Sequence, residues 1–273
     1  MANHPRRYLM CRPTHFTVSY TINPWMRPDS PTSTATAIAQ WDTLRRTYLE
    51  LGHAVDLIEP VTGLPDMVYA ANGAITAHGT AYCARFKHEE RAAEAPAYEA
   101  WLRAAGLRTI AAREVNEGEG DMLTVGDVVL AGTGFRTSHA AHLELQEAVG
   151  LPVVSLRLVD PRFYHLDTAL LVLSDTEIAY YPPAFSPASR EVLTHLFPDA
   201  IRAESTDALV FGLNGVSDGR HVVLPPQAAR LGAAVAERGY DVLTVDVSEL
   251  LKGGGGIKCC TLELRGAPEH RNS

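Results

Sequence analysis

Apolar positions along the chain follow two alternating rhythms. Where they recur every three or four residues they predict amphipathic helices, at about Thr34 to Leu51, Glu89 to Ala105, Ser138 to Val149, Pro187 to Phe197 and Pro226 to Gly239. Between these lie short, nearly continuous apolar runs broken by turn residues. The clearest is Met122 to Val125, then Gly126-Asp127, then Val128 to Ala131, where a two-residue turn containing Gly joins two apolar strands and predicts a hairpin. Similar pairs run from Ala74 to Ala84 around Gly79, from Leu170 to Tyr180 around Ser174-Asp175, and from Leu209 to Leu224 around Ser217-Asp218-Gly219. A further strand usually follows each helix, at Ala54 to Ile58, Leu107 to Ala111, Val153 to Leu156, Ile201 to Ala203 and Val242 to Val245. The repeating unit is hairpin, helix, strand.

Helix starts recur roughly every 40 to 55 residues, so about five such units fill the chain. The last hairpin is expected across the ends, with Cys259 to Arg265 pairing with Arg7 to Cys11, which would close a ring and remove an exposed sheet edge. No Pro/Gly/Ser-rich linker separates the units, so a single domain spanning residues 1–273 is expected. An ordinary doubly wound α/β sheet also alternates strands and helices, and periodicity alone does not separate the two.

Composition narrows the function classes. The chain carries 32 acidic against 24 basic residues, a formal charge of −8, with no run of Lys or Arg, which argues against a nucleic-acid partner. With 46% hydrophobic and 21% charged residues it has the composition of a folded domain rather than a disordered one. After Met1-Ala-Asn-His-Pro-Arg-Arg7 the only apolar stretch, Tyr8 to Cys11, is too short for a signal segment or a membrane span, so a cytoplasmic protein without a membrane partner is expected. Cys11, Cys83, Cys259 and Cys260 fit neither a disulfide framework nor the paired spacing of a zinc site, and should be free thiols.

Candidate chemistry gathers in four places. Gly253 to Gly256 precede Ile257-Lys258-Cys259-Cys260-Thr261, and four glycines suit a flexible loop that closes over a small substrate. It lacks the Gly-Lys-Ser/Thr ending of a phosphate loop. The two cysteines read either as small apolar residues buried in a strand or as a nucleophile, which needs a proton carrier and a lowered pKa. His165, just before an apolar run, would share a face with Asp167 if the segment is extended; a surface His beside a surface Asp is the alternative. His139 and His142 sit three apart on a helix, but no third ligand is evident and no metal is expected. Glu117-Gly118-Glu119-Gly120-Asp121, before the clearest hairpin, reads as a bulge whose carboxylates orient an imidazole or neutralise a cation, or as a solvated acidic turn. Asp66 and Asn72 flank what reads as a short strand, and turn chemistry alone would also explain them.

Taken in order, Met10-Cys-Arg-Pro-Thr-His15 with Asn23-Pro-Trp-Met26, Pro65-Asp66 to Asn72-Gly73, Glu117 to Asp121, Phe135-Arg136-Thr137, His165-Leu-Asp167 and Gly253 to Cys259 resemble the guanidino-group modifying superfamily. That superfamily includes arginine deiminases, dimethylarginine dimethylaminohydrolases, agmatine deiminases, amidinotransferases and arginine dihydrolases. The resemblance implies a five-bladed pseudo-symmetric α/β propeller and covalent catalysis without metal or cofactor. It assigns Cys259 as nucleophile and His165 as general acid/base, with Cys260 a non-catalytic neighbour on the strand. Glu117 is implied as the carboxylate supporting His165, with Glu119 a close second. Arg136 and Arg91 match arginines that hold a substrate α-carboxylate, for which a planar bidentate group is suited. Asp66 and Asp167 would hold guanidinium nitrogens, with Asn72 adding a neutral hydrogen bond.

Two departures from the dimethylarginine hydrolases bear on the substrate. They usually carry an acidic residue where this chain has Asn72 and a lysine where it has Asp167; Asp167 resembles the deiminase arrangement, and Asn72 with Asn23 is similar to the arginine dihydrolases. The expectation is therefore an arginine dihydrolase, converting arginine to ornithine, two ammonia and carbon dioxide. The alternative is a dimethylarginine dimethylaminohydrolase giving citrulline and dimethylamine, followed by a deiminase or an amidinotransferase. The expected partner is arginine or a methylated arginine; self-association is left open.

Overall fold

The computed structural model describes residues 5–266. Met1 to His4, the start of the stretch read for a targeting segment, lie outside the described residues. In chain order the strands are β1 (Arg7–Cys11), β2 (Ala54–Ile58), β3 (Ala74–Ala77), β4 (Thr80–Cys83), β5 (Arg108–Ala111), β6 (Met122–Val125), β7 (Val128–Thr133), β8 (Val153–Arg157), β9 (Leu170–Val172), β10 (Ile178–Tyr180), β11 (Ile201–Arg202), β12 (Val216–Ser217), β13 (His221–Leu224), β14 (Asp241–Thr244) and β15 (Leu262–Glu263). They form five three-stranded sheets, β3-β4-β5, β6-β7-β8, β9-β10-β11, β12-β13-β14 and β15-β1-β2. In each sheet the first two strands pair antiparallel and the third joins parallel to the second. An antiparallel pair needs only a tight turn, whereas a parallel neighbour needs a long crossover, and each unit uses a helix for it. The crossover helices are Thr34–Glu50, Glu94–Ala104, His139–Val149, Pro187–Leu196 and Ala229–Glu237. This is the five-bladed α/β propeller, and the single doubly wound sheet is excluded.

Local chemistry sets these elements. Val125 pairs with Val128 across Gly126-Asp127, with Gly126 at φ 54. Ala77 pairs with Thr80 across His78 and Gly79, both at positive φ (49 and 73), the turn whose twist matches the flanking strands. Ser33, Ser138 and Ser186 cap their helices by accepting backbone N–H bonds from Thr36, Ala141 and Ser189. The helices pack apolar faces against the blades: Trp41, Leu44 and Tyr48 are fully buried, each worth about 1.5–3 kcal/mol by removal from water.

Several expected elements differ. The helix expected over Glu89 to Ala105 is split at Ala93 into Glu89–Ala92 and Glu94–Ala104, with Arg91 and Glu94 buried and ion-paired on either side of the break. The strand expected from Leu209 shrinks to β12. Gly212 and Gly215 approach Ala228 and Leu224 too closely for any Cβ, and the chain turns instead of extending. The strand expected over Cys259 to Arg265 shortens to β15, which pairs with β1 through Tyr8↔Glu263 and Leu9↔Leu262. Cys259 and Cys260 therefore lie in the turn before β15, not on a strand; Cys260 N donates to the Gly256 carbonyl and Thr261 N to that of Lys258.

The first strand of each hairpin surrounds the propeller axis, with β15 packed on β3 and β9 on both β6 and β12. The polar segments singled out in the sequence are the chain just before these inner strands.

Candidate active site

Two 3-10 turns, Pro65–Val68 and Ala70–Gly73, precede β3 and carry Asp66 and Asn72. These replace the short strand expected between the two residues. A further turn, Gly118–Gly120, precedes β6, with Glu117 before it and Glu119 within it. His165 is extended (φ −119, ψ 153) but Leu166–Thr168 form another turn before β9, so His165 and Asp167 do not share the face of an extended segment. They reach the site from the two sides of that turn.

Cys259 is 1% exposed and His165 and Asp167 are equally buried. The Cys259 thiol donates to Asp167 Oδ2 (3.2 Å) and accepts from Asn214 Nδ2 (3.1 Å). Its carbonyl accepts from Ala71 N–H in the turn before β3. Burial pushes the thiol pKa well up and the adjacent Asp167 carboxylate adds to this, so Cys259 rests as SH. Burial also pushes Asp167 up, to about 7, against the pull of the Cys259 thiol and Lys258.

His165 Nε2 lies 2.7 Å from Glu117 Oε2, which also accepts from Arg136 Nη1 at 2.7 Å. Burial raises the Glu117 pKa, but Arg136 and His165 outweigh it and hold the carboxyl well below its usual range. Glu119, the second choice for this role, faces elsewhere. It binds Lys258 Nζ (2.6 Å), Arg265 Nη1 (2.5 Å) and the Glu263 N–H, and makes no bond to His165.

The two arginines are engaged with protein groups. Arg136 spans Glu117 and the Ile22 carbonyl (2.8 Å) and stacks on Tyr164. Arg91 grips Glu94 through Nε and Nη2, donates to Asn72 Oδ1 (2.7 Å) and to the Asp66 carbonyl (3.2 Å). Asp66 Oδ2 accepts from the Tyr20 hydroxyl. Asn23 Oδ1 accepts from the N–H groups of Trp25 and Met26, while Nδ2 donates to the Gly253 carbonyl, so this residue fastens the segment after β1 onto the Gly run.

That run is not the flexible loop expected. A Cβ at Gly253 would overlap the Tyr69 hydroxyl and one at Gly255 the Tyr69 ring, and one at Gly256 would come within 2.8 Å of Asn214 Oδ1. Gly254 alone needs glycine for its backbone, at φ 88. The glycines serve close packing. His142 has both ring nitrogens engaged, by Ser155 Oγ and the Gly132 carbonyl, which leaves neither for a metal. No group of three or more potential metal ligands occurs among the described residues, and no helix among them is long and apolar enough to cross a membrane. All four cysteines are free.

Asp66 Oδ1, Asp167 Oδ1 and His165 Nδ1 are buried with no hydrogen-bond partner. Unpaired buried polar atoms are costly and mark places where a ligand supplies the missing bonds. Two carboxylate oxygens and one ring nitrogen left without partners suit a cation rich in N–H donors.

The sequence missed Asn214. Besides its contact with sulfur, its Oδ1 accepts from the Cys259 N–H (3.1 Å) and its Nδ2 donates to the Asp167 carbonyl (3.1 Å). Its one signal is repetition: Asn214-Gly215 stands immediately before β12, as Asn72-Gly73 stands before β3.

Fold and site together define a guanidino-modifying enzyme, and the chain belongs to the pentein, or amidinotransferase, superfamily. It is 59% identical over 259 residues to the N(G),N(G)-dimethylarginine dimethylaminohydrolase of Mycobacterium tuberculosis, covering 95% of this chain and 86% of that one. It is 37% identical over 265 residues to the bifunctional arginine dihydrolase/ornithine cyclodeaminase ArgZ of Synechocystis sp., covering 94% of this chain but 37% of that protein's length. The substrate-bound N-terminal domain of ArgZ superimposes with a TM-score of 0.91 at 36% identity, covering 96% of this chain and 99% of that domain. No protein-family model matches. The chain is a hydrolase of guanidino C–N bonds.

Proposed function

We propose that the substrate is a dimethylated arginine, hydrolysed to citrulline and dimethylamine. The chemistry rests on the unpartnered buried acceptors of Asp66 and Asp167, the latter in contact with the Cys259 thiol. The choice of substrate rests on the 59% identity to a dimethylarginine dimethylaminohydrolase over nearly the whole chain. This reverses the order expected from the sequence, where arginine dihydrolysis came first.

A guanidinium carbon is a poor electrophile because its charge is delocalised, and a positioned thiolate substitutes proximity and nucleophilicity for intrinsic reactivity. The bound cation lowers the thiol pKa that burial and Asp167 raise. With Glu117 ionised, His165 keeps a proton on Nε2 and offers Nδ1 as base. Nδ1 takes the thiol proton as sulfur bonds to the guanidinium carbon, then gives it to departing dimethylamine as that C–N bond breaks. Water attacks the amidino-thio intermediate, losing a proton to Nδ1. Breaking of the C–S bond then leaves a urea group as the hydroxyl proton passes to the departing sulfur, restoring the thiol, and Nδ1 releases its proton to solvent.

Arginine dihydrolysis is the second reading, favoured by Asn72. Arg91 fixes its Oδ1, and its Nδ2 has only a 3.5 Å contact with the Glu117 carbonyl, leaving a donor for a ureido oxygen. Such an oxygen exists on citrulline and not on a guanidinium, so the group suits a second hydrolysis.

Mass spectrometry of products from Nω,Nω-dimethylarginine and from L-arginine separates the readings. Citrulline with dimethylamine from the first supports the proposal, and ornithine with ammonia from the second supports dihydrolysis. Citrulline alone from arginine would make the protein a deiminase, and no turnover of either would overturn both readings.

A further inference from the structure

We propose that Asn214 is a positioning residue for the nucleophile, holding the Cys259 backbone through Oδ1 while its Nδ2–H stabilises the sulfur as an anion. This rests on Cys259 being the nucleophile.

The orientation of the amide is set by its neighbours. The Cys259 N–H is only a donor, so the atom 3.1 Å from it is Oδ1, and the Asp167 carbonyl is only an acceptor, so the atom 3.1 Å from it is Nδ2. The second Nδ2 hydrogen is then the one that meets Sγ at 3.1 Å. The backbone is equally committed. Asn214 N donates to the Phe211 carbonyl (3.0 Å), its carbonyl accepts from Lys258 N–H (3.0 Å), and Phe211 itself sits at φ 57. A side chain needed only to satisfy a buried turn would have no reason to aim a donor at sulfur.

That donor opposes what surrounds it. The titratable groups acting on Sγ are Asp167 from the turn before β9, Cys260 on its own segment, and Tyr69 and Tyr164 from the facing walls. Burial, Asp167 and Cys260 all disfavour the thiolate, and the Gly256 backbone N–H favours it beside the Asn214 donor. Lys258, next in sequence, has its ammonium on Glu119. A hydrogen bond to a charged acceptor is about twice as strong as a neutral one, so the Asn214 donor favours the thiolate over the thiol.

The test is the pH profile of iodoacetamide modification at Cys259, located by mass spectrometry in the full chain. In Asn214→Ala the midpoint should rise by about one pH unit, with kcat falling about tenfold and KM little changed. Asn214→Asp, close in shape, retains the acceptor for Cys259 N–H but turns an acceptor toward sulfur, and its midpoint should rise further. Midpoints unchanged in both variants would overturn the proposal; should the Ala variant fail to fold, an unchanged midpoint in the Asp variant does so alone. Wild-type protein that is not modified at Cys259, or Cys259→Ser protein that still turns over, would instead remove the nucleophile assignment on which the proposal stands.

Discussion

His165 and Glu117 are joined by a 2.7 Å hydrogen bond through Nε2, and the ring atom left without a partner is Nδ1. The carboxylate thereby sets both the tautomer and the direction in which the imidazole can exchange protons. Glu117→Gln should lower kcat by about 10²–10⁴-fold. Glu119→Gln should instead act on stability: Lys258 and Arg265 lose a shared carboxylate but retain some solvent, so a loss of about 2 kcal/mol, or roughly 4–8 °C in Tm, is expected. Steady-state kinetics beside thermal melts check the contrast, and a Glu119 variant with the larger kinetic defect would contradict it.

Arg136→Lys should not be a pure binding variant. Its Nη1 bond to Glu117 helps keep the His165 partner ionised, and a lysine cannot also reach the Ile22 carbonyl in the same planar geometry. A fall of about tenfold in kcat is expected alongside any rise in KM. A change confined to KM would mean that Arg136 acts on substrate alone.

If Asp167 holds the substrate cation as proposed, binding should be pH-dependent. Its pKa is raised by burial to about 7, so below that value a cation must displace a proton. Arginine affinity for Cys259→Ser protein, measured by calorimetry, should weaken by up to about tenfold per pH unit below 7 and level off above it. The same shift acts on stability. A carboxyl with a raised folded pKa stabilises fully below its ordinary value near 3.8 and loses that contribution as pH rises through about 7. Asp167→Asn should flatten the binding profile. Asp121, raised by burial to about 6, is distinguished by this variant, since its oxygens already accept from Leu166 and Thr137 N–H.

Cys259→Ser should abolish turnover, by about 10³-fold or more, in a protein that still folds. Cys260→Ser should leave turnover within a few-fold, because the contacts to Asp167 and Asn214 belong to Cys259 Sγ. Opposite effects would show the two assignments to be exchanged.

Asn72→Asp tests the second hydrolysis. An acid here is an acceptor facing a ureido oxygen, so any ornithine formed from arginine by the wild type should give way to citrulline. Continued ornithine formation would show that the Asn72 donor is not needed.

The blades were legible because their signals are local: Gly126-Asp127 names its turn, and the helical spacing from Thr34 to Leu51 needs no distant partner. The site segments were legible in order but not in shape. Asp66, Asn72 and Asp167 ride on single 3-10 turns, too short to leave a periodic pattern. Alternation in Glu117-Gly-Glu119 left two carboxylates equivalent on paper, and the turn at Gly118–Gly120 sends them to different partners. The Gly run looked mobile because its constraints, Tyr69, Asn23 and Asn214, are far away in sequence. Asn214 carried no chemistry of its own in the sequence, only an Asn-Gly pair that local reading assigns to a turn.

Ring closure has a consequence for the order of assembly. β1 is the middle strand of a blade whose inner strand, β15, comes after all the other strands in chain order. Until β15 pairs with it, β1 has an unpaired edge. Cys259, in the turn before β15, is set in place by the same pairing that seals the last edge, which would tie the onset of its proposed reactivity to completion of the fold.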